Sequence, residues 1–309
     1  MKLDFSKPIY MLAPLAGYTD LPFRAVVKKF GVDITVSEMI SANALVYDSK
    51  KTLKMLQKSE SEDPYSVQIA GSNENIIRTA VEKLNEHDGI DIIDLNCGCP
   101  APKIVNNLSG SSLLTDLKSM AKAIETIKKT SNKQYTSVKV RLGFNEKNHL
   151  EIAKICEESG ADFVAVHGRT RSGRFKSAVD YDAIAEMKSI LKIPLIANGD
   201  IDSPEKAAWV LEYTKADGIM VGRAAVGKPW IFQQMKNGSI DIDNELIKEV
   251  VLEHFNQMVA HFGEYGAIMF RKHLHTYSKA GYSGASAFRD AVNRTENITQ
   301  MRELISEFF

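Results

Sequence analysis

The segment "LNCGCP" (95–100) follows the apolar run "IDIID" and puts two of the chain's three cysteines, Cys97 and Cys99, one residue apart. A close thiol pair suits a metal, a disulfide or one reactive thiol. A four-ligand metal site needs further partners, and Cys156 belongs to a separate helical stretch, so no metal is expected. A vicinal disulfide does not suit a reducing compartment, and three cysteines make no disulfide framework. Cys97, next to the strand, reads as a small core hydrophobe. Cys99 lies farther out, on a loop stiffened by Pro100 and Pro102, and is the candidate reactive thiol. Other chemistry-bearing residues are Lys139 inside an apolar run, "HGRTR" (167–171), "NGD" (198–200) and "GR" (222–223).

Something must bring these scattered residues together. Short β-type runs ("IYMLAPLAG", "ITVSEMI", "YSVQIAG", "IDIIDLN", "TSVKVRLG", "ADFVAVHG", "IPLIANGD", "ADGIMVGR") alternate with helical patterns such as "NENIIRTAVEKLNEHDG". In the latter Ile76, Ile77, Ala80, Val81 and Leu84 fall on one helical face. Strands apolar on both sides are parallel and covered on both faces. Eight of them with intervening helices predict an α/β fold, a (β/α)8 barrel, in preference to a doubly wound sheet, whose early glycine-rich dinucleotide turn is missing. From about residue 241 the strands stop, and "NELIKEVVLEHFNQMVAHF", "GAIMFRKHLHTYSKAG" and "SAFRDAVNRTENITQMRELISEFF" predict a C-terminal all-helical domain. The expected domains are therefore 1–240 and 241–309.

The 309 residues are 44% hydrophobic and 25% charged with a formal net charge of +0, an ordinary globular composition. Net charge offers nucleic acid no general attraction, so any RNA contact rests on local patches. The N-terminal stretch has neither the pattern of a signal peptide nor that of a membrane span, and a cytoplasmic enzyme is expected.

In a (β/α)8 barrel, chemistry gathers at the C-terminal strand ends, and phosphate sites form after strands seven and eight. "NGD" and "GR" fall there, with glycines that let the backbone approach a phosphate and Arg223 as a fixed charge. A phosphorylated cofactor is expected. A strand-end Lys139 needs a partner, and the anionic edge of a reduced flavin is one. Gln68 and Asn96 are placed to hydrogen-bond the same ring, and His167 opens the arginine-rich loop.

Taken in order, "PLAGYTDLPFR", "VQIAG", "LNCGCP" followed by Lys103, "KVRLG", "HGRTR", "ANGDI" and "GIMVGRAAVGKPWIF" resemble the tRNA-dihydrouridine synthase family, in particular its bacterial DusB-like subgroup. The resemblance runs from near Pro8 into the C-terminal helices. It implies an FMN-binding barrel followed by a helical tRNA-binding domain. It implies that Pro14, Leu15, Ala16 and Gln68 contact the flavin ring, with Lys139 at its pyrimidine edge. His167, Asn198, Gly199, Asp200, Gly222 and Arg223 would hold the ring or the phosphate end. The implied reaction reduces the C5=C6 bond of a D-loop uridine in tRNA with NADPH, or NADH, as reductant. Hydride comes from flavin N5, and the proton from Cys99. A thiol suits that role because it is mostly protonated at neutral pH.

The substrate side is expected to involve Asn96, Lys103, Arg141, Arg169, Arg171 and Arg271, with Arg174, Lys176 and His275 nearby. No obligate protein partner and no membrane are expected. The competing reading is an FMN-dependent barrel oxidoreductase acting on a small pyrimidine, similar to dihydroorotate dehydrogenase.

Overall fold

The computed structural model describes residues 2–47, 49–174, 176–238, 242–279 and 281–309. The strands are β1 (Ile9–Leu12), β2 (Thr35–Val36), β3 (Ile40–Ser41), β4 (Tyr65–Ala70), β5 (Ile92–Cys97), β6 (Tyr135–Arg141), β7 (Phe163–His167), β8 (Leu195–Asn198) and β9 (Gly218–Val221). All pairs are parallel, in the order β1-β9-β8-β7-β6-β5-β4-β2. β3 also lies along β4, so β2 and β3 are two pieces of one barrel strand. Between them Ser37 diverts the ladder, because its hydroxyl accepts the Gln68 N–H at 3.0 Å. A parallel bridge from Met11 to Ile34, with the Leu12 N–H donating to the Ile34 carbonyl at 2.9 Å, closes the sheet on itself. Closure is what separates the expected (β/α)8 barrel from an open doubly wound sheet.

The period-two alternation of a strand sorts its side chains into two layers. Val67, Ile69, Ile93, Leu95, Cys97, Val138, Val140, Val164 and Val166 face the surrounding helices. Ile9, Met11, Ile34, Ile92, Phe163, Ala165, Ile196 and Met220 plug the lumen. The helices follow their sequence signals. In Glu74–Asn85, Asn73 caps the N-terminus by accepting the Ile76 N–H, and Ile77, Ala80, Val81 and Leu84 are buried.

The C-terminal region consists of the helices Asn244–Phe262, Tyr265–Tyr277, Ala285–Arg294 and Ile298–Phe308. The last apolar pattern of the sequence, which reads as a continuous helix, breaks because Asn297 accepts the Gln300 N–H at 3.1 Å and starts a new one. The expected domain boundary at 240/241 falls on residues 239–241, outside the described residues. The core of this region includes Val251, Phe255, Met258, Phe270 and Leu274, and it continues into Val26 of the barrel helix Leu21–Lys29 and Phe30 at its C-terminal cap.

That barrel helix is anchored from beneath by a buried ion pair. Arg24 Nε donates to Glu62 Oε1 at 2.6 Å, with side chains 1% and 0% exposed. Arg24 also donates to the carbonyls of Thr19 and Gln57, and Glu62 accepts from Thr35 Oγ1 at 2.7 Å. Breaking a buried pair leaves a charge without compensation. Glu62→Gln is therefore expected to lower stability in urea denaturation by about 3 kcal/mol. A loss below about 1 kcal/mol, the range of a solvated surface pair, would show that water screens it.

Candidate active site at the barrel mouth

A cavity of 470 Å³ opens at the C-terminal strand ends. Its wall takes Pro14, Leu15 and Ala16 after β1, Gln68 from β4, Asn96, Gly98, Cys99 and Pro100 at the end of β5, and Lys139 and Arg141 from β6. His167, Asn198, Gly199, Asp200, Gly222 and Arg223 complete it from the last three strands. Every residue expected from the sequence to hold a cofactor thus lines one cavity, together with Cys99, Asn96 and Arg141.

The floor is a hydrogen-bond relay. Asp94, buried in the lumen, accepts from Ser137 Oγ at 2.6 Å and from Gln68 Nε2 at 2.7 Å. Since Gln68 gives its N–H to Asp94, its Oε1 is left to accept from Asn96 Nδ2 at 2.7 Å. Asn96 must then turn its Oδ1 toward the loop, where it accepts the N–H groups of Gly98 at 3.1 Å and Cys99 at 2.9 Å. From the other side Arg141 Nε donates to the Gly98 carbonyl at 2.7 Å. Asn96 and Arg141, both expected to contact substrate, therefore also fix the backbone that carries the thiol. Burial pushes Asp94 above the usual carboxylate range, while Ser137, Gln68 and the charge of Lys139 pull it back.

Cys99 is half-buried at the cavity wall; Cys97 and Cys156 are buried among the helix-facing side chains. Burial pushes the Cys97 thiol well up and that of Cys156 to about 12, so neither ionises near neutral pH.

Lys139 Nζ donates to Asn198 Oδ1 at 3.1 Å, and Asn198 Nδ2 donates to the Met220 carbonyl at 2.7 Å. Burial, then the charge of Arg141, brings Lys139 down to about 8. Burial lowers His167 to about 2, reinforced by Lys139, Arg141, Arg169 and Arg223, so its imidazole is neutral. At the far end Asp200 adopts φ +47°, a left-handed conformation, and its carboxylate is held by Arg169 and by Arg223 Nη2 at 3.0 Å. Hydrogen bonding to Arg169 holds that carboxylate below its usual range. Gly199 has φ +129°, which strains any other residue, and a Cβ on Gly222 would come into contact with Ala13 Cβ at 3.4 Å and Leu15 Cδ2 at 3.6 Å.

These groups fit a flavin nucleotide. Amide and ammonium groups meet the polar edge of a ring, and glycine backbone with Arg223 meets an anionic tail.

Other expected residues are not gathered here. Arg169 is 4% exposed and committed to Asp200 and the Ser177 carbonyl. Arg171 stacks on the Phe144 ring at 4.7 Å. Arg271 turns back onto the Thr295 carbonyl at 2.9 Å. The side chain of Lys103 lies outside the described residues, its backbone being in the short helix Pro102–Val105. Conversely, Asp94, Ser137 and Met39 escaped the sequence reading. Met39 lines the cavity between β2 and β3, and the strand-end position of "SEM" was its signal. The signal for Asp94 was its place two residues before Asn96, on the same face of a strand.

A family model described as dihydrouridine synthase matches residues 11–308. The probable tRNA-dihydrouridine synthase of Helicobacter pylori is 54% identical over 309 residues, covering 99% of this chain and 94% of that relative. The tRNA-dihydrouridine synthase B of Vibrio parahaemolyticus is 38% identical over 311 residues, covering 97% and 95%. Among solved structures, histamine dehydrogenase from Rhizobium sp. 4-9 superimposes with a TM-score of 0.57 at 13% identity, over 80% of this chain and 48% of that one. The old yellow enzyme from Trypanosoma cruzi gives 0.54 at 7% identity, over 77% and 91%. These two likenesses are of fold alone. The family match spans the barrel and the helical region alike, and the chain belongs to the dihydrouridine synthase family.

Proposed function

We propose that the chain is an FMN-dependent tRNA-dihydrouridine synthase that reduces the C5=C6 bond of a D-loop uridine in tRNA with NADPH as reductant. The observation that carries this reading is that Cys99, alone of the three cysteines, lines the cavity, on a loop clamped between Asn96 and Arg141. Gln68, Lys139 and the backbone at Pro14, Leu15 and Ala16 would hold the flavin ring, and Gly199, Gly222 and Arg223 its phosphate. Bound FMN would supply the hydride that adds to C6 of uracil. Cys99 gives the Sγ proton to C5, which completes the reduction and leaves a thiolate that solvent reprotonates. Lys139 and Arg141 line the same cavity as that sulfur. The neutral His167 serves as a hydrogen-bonding group and adds no charge to the site.

The target uridine has to leave the tRNA fold to enter a cavity this deep. Residues 1–240 form the catalytic unit in this reading, and 241–309 the tRNA-binding one. With no net charge to attract RNA, binding depends on local cations such as Lys103, Arg174 and Lys176. Among the described residues no helix is long and apolar enough to cross a membrane, and a cytoplasmic location completes the proposal.

Cys99→Ala is expected to lower dihydrouridine formation, read by mass analysis of tRNA, by about 10²- to 10⁴-fold, while NADPH still bleaches the flavin at the original rate. Equal loss of both steps would sink the proton-donor role. Lys139→Met is expected to retain flavin and slow its reduction by about 10²-fold in stopped-flow absorbance. An unchanged rate removes Lys139 from that role. Binding of tRNA should weaken steeply between about 50 and 200 mM salt, and a flat profile would contradict phosphate contacts.

A further inference from the structure

Where the helical region meets the barrel helix Leu21–Lys29, three side chains from three helices point at one another. Asp20 caps the barrel helix with one carboxylate oxygen, which accepts the Phe23 N–H at 3.1 Å. Its other oxygen, Oδ2, is buried and has no partner among the described residues. His254, on Asn244–Phe262, faces the Tyr277 hydroxyl with Nδ1 at 3.1 Å, leaving Nε2 buried and unpartnered. His273, on Tyr265–Tyr277, has both ring nitrogens buried and without a partner among the described residues. The two histidines are 0% exposed and Asp20 is 6% exposed. One ligand atom from each residue lies within 4.8 Å of the other two, yet no hydrogen bond joins them.

Buried polar atoms without partners are costly, and four in one spot call for an occupant. Phe23 and Phe270 pack against both imidazoles, so the surrounding shell offers them apolar faces. We propose that Asp20, His254 and His273 bind one divalent transition-metal ion of the zinc type, which pins the helical region to the barrel.

Two imidazoles and a carboxylate form a donor set suited to zinc and its neighbours, whereas calcium and magnesium require oxygen ligands. Tyr277 provides the outer contact that a ligating histidine uses to fix its ring. Burial keeps both histidines neutral, as ligation requires. The nearby cations of Lys272 and Arg24 oppose a metal ion, and the carboxylates of Asp20 and Glu38 offset them. None of the three ligands lines the active-site cavity, so the ion is structural, with water at its fourth position. The inference is independent of the proposed reaction.

The test uses the full chain without a polyhistidine tag. Elemental analysis is expected to find about one zinc per chain. Chelation should lower the Tm, and Co²⁺ should restore it and add visible d–d absorption. His273→Phe keeps an aromatic ring between Phe23 and Phe270 but removes both nitrogens, and it should abolish the Co²⁺ band and the metal-dependent rise in Tm. A folded unaltered chain that holds less than about 0.1 metal per chain, with a Tm indifferent to Zn²⁺, Co²⁺ and Ni²⁺, overturns the proposal. A His273→Phe chain that binds Co²⁺ as well as the unaltered one overturns it equally.

Discussion

A carboxylate taken out of water into a barrel lumen is tolerated only when its lone pairs are filled. Asp94 meets that requirement with Ser137 Oγ and Gln68 Nε2, and in doing so it fixes which way the amides of Gln68 and then Asn96 point. An ionised acceptor leaves Gln68 no choice but to offer its N–H, which leaves its oxygen for Asn96 and the oxygen of Asn96 for the Cys99 loop. The position of the thiol at the cavity wall therefore depends on a group deep in the barrel that never reaches the cavity. Rotating any one amide would place two donors or two acceptors face to face, so the relay holds as a unit.

The same division of the lumen explains why the mouth can be polar at all. Below the relay the barrel is plugged by Ile92, Phe163, Ile196 and Met220, which keep water out from beneath. Above it Lys139, His167 and Asn198 line the cavity and present polar groups to it. Positive charge held in such a partly dry site is costly, as the lowered pKa values of Lys139 and Arg141 show, and an anionic ligand offsets that cost. The helical region is tied to this scaffold through the helix Leu21–Lys29, which the Arg24–Glu62 pair anchors from below and which carries Asp20 at its start.

Much of this was legible in the residues. Alternating apolar runs and helical patterns marked all eight barrel strands, because burial on both faces imposes a pattern that does not depend on distant partners. The strand-end motifs marked residues that line the cavity, since the loops after the strands converge on one face of a barrel. The arginines were harder. "HGRTR" is basic in the sequence, yet Arg169 is committed to Asp200 and Arg171 to Phe144, since a guanidinium satisfies whichever acceptor or ring the fold brings near.

The sequence by itself determined the barrel and the helical appendage and singled out the one cysteine that lines the cavity, because periodicity, strand-end position and proline-stiffened loops are local properties. Only the tertiary structure decided that Asn96 and Arg141 clamp the thiol loop, that Asp94 orients Asn96 through Gln68, and that Asp20, His254 and His273 meet. Asp20 and His254 lie far apart along the chain, and no spacing rule links them. Their meeting follows from the way two apolar faces pack, which depends on shape complementarity summed over many side chains.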